Sequence, residues 1–150
     1  MSLAARSRNP YFAVVKQNRA PLFAAIGFLT TAFNAFSAEQ SWAGEYADKK
    51  FLNGKAVFEM SVKQSGNTIQ ISFDAVYNDG HGVAPEGQGP AKITSAGKLE
   101  FKWEDSFKNS GTGTIERAGD NIVVSMKATR VVDSRCLAFC GENLLLQRLK

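Results

Sequence analysis

His81 is the single histidine of the 150-residue chain, and it lies in the glycine-rich run Asn78 to Pro90 together with Asp79 and Glu86. An imidazole titrates near neutrality and a neighbouring carboxylate orients it, so these three side chains are the set that could do acid–base chemistry or begin a metal site. A metal site wants three or four ligands with supporting partners, and no second histidine is present to complete one. The sequence therefore predicts no metal and no cofactor. The run reads as a long loop, and long loops in compact domains carry function more often than short turns do. Asp79, His81 and Glu86 are expected there as contacts to a partner.

A second polar cluster, Arg130, Asp133 and Arg135, precedes the two cysteines, Cys136 and Cys140. Arginine can grip a carboxylate or phosphate with two hydrogen bonds. Arg130 and Arg135 are thus candidate partner contacts, with an internal ion pair to Asp133 as the competing assignment. Four residues of extended strand span about 13 Å, whereas disulfide-linked Cα atoms sit within about 7 Å. A Cys136–Cys140 bond is expected, and it requires Leu137-Ala138-Phe139 to form a tight loop. Phe139 at its tip is expected either to be exposed as an interface anchor or to fold over the end of the domain. The cysteine spacing, with no histidine beside it, matches neither a zinc site nor a redox CxxC motif.

Charge divides the chain in two. Arg6, Arg8, Lys16 and Arg19 are the only charged residues before Glu39, which leaves 14 of the 18 basic residues to face all 14 acidic ones. The excess positive charge belongs to the leader, so no polyanion-binding role follows for the rest and nucleic acid is not an expected partner. The leader has a basic start, an apolar stretch from Pro21 through Ala32, and small residues at Ala35 and Ser37. That is the layout of a secretory signal peptide, placed at residues 1–37 with cleavage after Ser37. The apolar stretch falls short of the roughly 20 residues that span a bilayer. Membrane attachment is expected only through an uncleaved signal anchor. The product is expected to be exported, to a periplasm or to the extracellular space, where an oxidising environment favours the cysteine bond.

Residues 38–150 must then hold these side chains as one domain, and their pattern is strand after strand. Phe58, Met60 and Val62 alternate with Glu59, Ser61 and Lys63; after the turn Ser65-Gly66-Asn67, Ile69, Ile71, Phe73, Ala75 and Tyr77 alternate with polar residues. A weaker strand follows at Pro90 to Thr94, then Lys98 to Glu104 with Leu99, Phe101 and Trp103 on one face. Further strands are expected at Thr112 to Arg117, Ile122 to Thr129 and Asn143 to Leu149. The charge-rich run Glu100 to Lys108 reads as a solvated outer face. With Trp42 to Tyr46 in front, about eight short strands joined by local turns predict an all-β, antiparallel up-and-down barrel, which closes its own edges. A β-sandwich is the alternative fold.

The opening Trp42, Gly44 and Tyr46 on the first strand resembles the start of small lipocalin-type and avidin-type barrels. That resemblance implies that a glycine makes room for an aromatic side chain closing the barrel floor. The exported domain is also similar in architecture to periplasmic lysozyme inhibitors, which pair a small β domain with a disulfide and a protruding loop. Three functions are expected from these features. The first is a binding or inhibitor module acting on a protein, such as a cell-wall hydrolase, through the loops at 78–90 and 136–140. The second is a carrier holding a small apolar ligand in a cavity lined by Phe58, Phe73, Phe101 and Trp103. The third is a hydrolase using His81, although no nucleophile accompanies it, so the protein is read as a non-enzyme.

Overall fold

The structure is a computed structural model that describes residues 41–150; the expected signal peptide at 1–37 lies outside the described residues. Eight antiparallel strands form a closed barrel in sequence order. They are β1 (Gly44–Asp48), β2 (Ala56–Ser65), β3 (Thr68–Tyr77), β4 (Glu86–Ile93), β5 (Leu99–Asp105), β6 (Ser110–Ala118), β7 (Asn121–Arg130) and β8 (Leu144–Arg148). The up-and-down barrel expected from the alternation is the fold found. Among the described residues no helix is long and apolar enough to cross a membrane.

The alternation in the sequence fixes which side chains enter the barrel. Phe58, Met60, Val62, Ile69, Ile71, Leu99, Ile115, Ile122, Val124 and Leu146 are all at most 2% exposed. Their neighbours one residue away point to solvent, as the two-residue period of a strand requires. Near the middle of the barrel Phe58 stacks on Phe73 at 5.8 Å between ring centroids, and Trp103 meets Phe73 edge-on at 5.8 Å. Such contacts contribute roughly 0.5–1.5 kcal/mol each beyond simple burial.

The rings are accommodated by glycines on the adjoining strands. Phe73 is paired with Gly87, Phe101 with Gly113 and Trp103 with Gly111. A Cβ built on Gly87 would come within 2.2 Å of the Phe73 ring, and one on Gly113 within 2.3 Å of the Phe101 ring. The space that another side chain would occupy is filled from across the strand. For this reason β4 begins at Glu86, inside the run read from sequence as a loop, and the loop itself is only 78–85. Glycines that look like turn residues in the sequence are here the seats of aromatic rings.

The two ends of the barrel differ. At one end the strands are joined by the short connections 66–67, 94–98 and 119–120, and Trp42 closes the floor at 3% exposure. The Arg117 guanidinium covers its ring at 3.9 Å. A Cβ on Gly44 would fall 2.8 Å from the Tyr46 hydroxyl, so the glycine does make room for an aromatic side chain. The other end carries all the longer connections, 49–55, 78–85 and 131–143. Two short helical pieces absent from the sequence expectation lie there: α1 (Phe51–Gly54), a single turn in which Leu52 and Asn53 are left-handed with φ of 51° and 58°, and a 3-10 helix over Ser134–Phe139.

Candidate functional site

The loop-bearing end is held together by a polar network that begins in the β5–β6 connection. Asp105 is 5% exposed and Asn109 is 1% exposed, although both lie in or beside the charged run read as a solvated face. Burying a carboxylate is costly unless its oxygens are occupied. One oxygen of Asp105 accepts the backbone N–H groups of Phe107 and Asn109 at 2.9 Å each, and the other accepts the Asn109 side-chain N–H at 2.8 Å. The Asn109 carbonyl oxygen then accepts the backbone N–H of Val132 at 2.7 Å and of Asp133 at 2.9 Å. One amide thus fastens the 131–140 segment to the barrel. Sequence reasoning missed this pair; the usable signal was an acid at a position whose period-two partners, Phe101 and Trp103, face inward.

From that attachment the 3-10 helix starts. Asp133 caps it by accepting the backbone N–H of Arg135 at 3.0 Å, and its carboxylate also takes the Arg135 guanidinium at 2.9 and 3.1 Å. The Arg135 hydrogen bonds hold the Asp133 carboxyl below the usual carboxylate range. The internal ion pair is therefore the arrangement Arg135 adopts, while Arg130 is exposed at the end of β7. Phe139 is not an exposed tip. It is 1% exposed, stacked on Phe51 at 6.1 Å and edge-on to Tyr77 at 5.2 Å, because folding over the barrel mouth removes its ring from water. What the segment displays instead is Val131, Val132 and Leu137, at 48%, 58% and 37% exposure.

The expected disulfide is not formed; Cys136 and Cys140 are free. Cys136 lies within the 3-10 helix, whereas Cys140 follows it in extended backbone, with φ of −94° and ψ of 132°. Burial is the chief cause that pushes both thiols up, Cys140 to about 11, and the Asp105 carboxylate adds to it. Thiols held protonated in this way are poor nucleophiles.

His81 and Asp79 project from the 78–85 loop with side chains 89% and 73% exposed and 4.0 Å apart. The loop is anchored by Val83, buried at 7%, and by Asn78, whose amide donates to Gly54 at 2.7 Å. Glu86 is not in this loop: it lies on the outer face of β4, paired across the sheet with Asp74. The three side chains do not converge, and among the described residues no three His, Cys, Asp or Glu side chains gather as metal ligands would. The structure thus brings Asp133, Arg135 and the two cysteines together on one segment and leaves Asp79 and His81 on another. Phe58, Phe73 and Trp103 are in the ring contacts described above, and Phe101 lies over Gly113. Three of the four side chains expected to line a carrier's cavity are thus in direct ring contact with one another. No family model, curated protein or solved structure matches the chain.

Proposed function

We propose that the protein is an exported binding or inhibitor module that engages a protein partner through the loop-bearing end of a filled barrel. The observation that carries this reading is the attachment of the 131–140 segment to buried Asn109 and Asp105, which presents Val131, Val132 and Leu137 on a fixed support. Apolar residues exposed on a pre-shaped loop lose little entropy on docking. Arg130 and the neighbouring Asp79–His81 loop supply polar contacts at the rim of that surface. The aromatic rings in contact inside the barrel weigh against the carrier reading, and the raised cysteine thiols and solvated His81 give an enzyme reading no activated group. A cell-wall hydrolase is the partner class tested first, on the architectural likeness to lysozyme inhibitors.

Export also bears on the cysteines. In an oxidising compartment Cys136 and Cys140 are the available pair, and Cys140 already lies beyond the end of the 3-10 helix. The test of the main reading is inhibition of a purified muramidase acting on peptidoglycan. Dose-dependent inhibition that disappears in Val132→Asp and Leu137→Asp proteins is the expected result. Undiminished lysis at a large molar excess of the folded protein would exclude that partner. A photo-crosslinker placed at position 137, compared with one at Lys63, then asks whether any envelope protein is captured at this end; equal capture at both positions would reject the site itself.

A further inference from the structure

On the side of the barrel, β4 to β7 together with Glu142 of the 131–143 connection line a groove of about 700 Å³. Its centre is set by strand register: Lys102 on β5 lies opposite Thr112 on β6, which lies opposite Lys127 on β7. Two inter-strand spacings place the lysine Cα atoms about 10 Å apart, so both flexible ammonium groups can reach one anion above Thr112. The next row along the strands is Glu100, Thr114 and Ser125. Glu100 is already paired with Lys92 at 3.5 Å. Glu142, at the rim, is the other acid of the lining. No ion pair to Lys102 or Lys127 is present among the described residues, whereas Lys98 and Lys108 are paired with Glu116 and Glu104.

Thr112, Thr114 and Ser125 place three hydroxyl groups along the same groove. The Ser125 oxygen accepts the Asn143 backbone N–H at 3.0 Å, which leaves its own hydrogen to donate. A hydroxyl offers both a donor and acceptors and so matches the hydroxyl of a sugar, while an ammonium supplies charge for an acidic substituent. Nucleic acid fits poorly: the groove has two unpaired cations for a ligand that carries a charge at every nucleotide, and no aromatic platform faces outward for base stacking.

We infer that this groove binds a saccharide bearing one anionic group, a carboxylate or a phosphate, with the anion between Lys102 and Lys127 and the sugar hydroxyls along Thr112, Thr114 and Ser125. The site uses no residue of the 131–140 surface, so it stands or falls separately.

The test is a titration of the full-length chain, followed through the backbone amide signals of 112–114 and 125, with three probes: cellobiouronic acid, glucose 6-phosphate and neutral cellobiose. Saturable shifts with one or both acidic sugars, at least tenfold tighter than cellobiose, are expected, and the arm that binds more tightly identifies the anion. A Lys102→Gln/Lys127→Gln protein should lose at least tenfold in affinity, and Lys63→Gln, on β2, should lose none. Cellobiose binding as tightly as the acidic probes, absence of saturation, an unaffected double variant, or equal weakening by Lys63→Gln would each overturn the assignment. The double variant changes only exposed side chains, so its fold is checked by its unchanged amide spectrum elsewhere.

Discussion

Replacing Asn109 by alanine removes three hydrogen bonds at once: the donation to Asp105 and the two that hold Val132 and Asp133. A net contribution of about 0.5–1.5 kcal/mol per bond gives roughly 2–4 kcal/mol for the three. The upper part of that range applies because Asp105 is buried and loses a partner for one oxygen. In urea, with a slope of about 1–3 kcal/mol/M for a domain of this size, a loss of ~3 kcal/mol lowers the midpoint by about 1–3 M. The damage should also be local, since the bonds run from the barrel to one segment. Limited proteolysis is therefore expected to cut within 131–140 in the variant under conditions where the parent protein resists. Asn121→Ala serves as the comparison, because that side chain accepts only the Arg148 backbone N–H at 3.1 Å near the surface. Its cost should stay below about 1 kcal/mol. If Asn109→Ala costs no more than Asn121→Ala, or leaves 131–140 as resistant as before, the network does not hold the loop and the proposed binding surface loses its support.

Gly87→Ala should destabilise by about 1–3 kcal/mol through overpacking, because the Phe73 ring it meets is itself wedged between Phe58 and Trp103. In a Phe73→Leu background the same change should cost less than about 1 kcal/mol; strictly additive unfolding energies would refute the ring-on-glycine account. Trp42→Ala should cost about 3–5 kcal/mol by opening the floor under Arg117, measured by the same denaturation. Alkylation of Cys140 needs the thiolate, and burial raises its pKa to about 11. At pH 8 a free thiol of pKa about 8.5 is about one-quarter ionised and this one about one-thousandth. Iodoacetamide should therefore react with it at least a hundredfold more slowly than with a model thiol, the rate climbing with pH toward 11. A rate that levels off near pH 9 would show the group to be solvated.

The barrel was legible in the sequence wherever one side of a strand is apolar and the other polar. The β2–β3 hairpin is the best case, its partners running in register from Ser65 and Thr68 to Ala56 and Tyr77. Legibility failed where a residue's usual meaning was overridden by what lies across the sheet. Gly87 and Gly89 read as loop residues, yet they form part of β4, which starts four residues before the strand expected at Pro90. Phe139 left two readings open, an exposed anchor or a cover over the domain's end, and it is the plug of the barrel mouth. Asp105 and Asn109 were obscured for the opposite reason: polar residues in a charged run gave no local sign that they face inward. His81, Asp79, Asp133 and Arg135 read as loop residues from the sequence, but which of them meet depends on side-chain geometry that no spacing rule supplies.

Seven of the eight strand interfaces join neighbours in the chain, and the eighth joins β1 to β8. That seam has only two residue pairs in register, Tyr46 with Arg148 and Ala47 with Gln147, reinforced by Leu149 donating to Glu45 and Arg148 donating to Ala43. In kinetic terms the meander can assemble by contacts between successive strands, whereas closure must bring together residues more than a hundred positions apart. The seam is thus the interface whose formation completes the topology. Brief partings there would expose the edges of β1 and β8 as a pair, edges that could accept a strand from another chain.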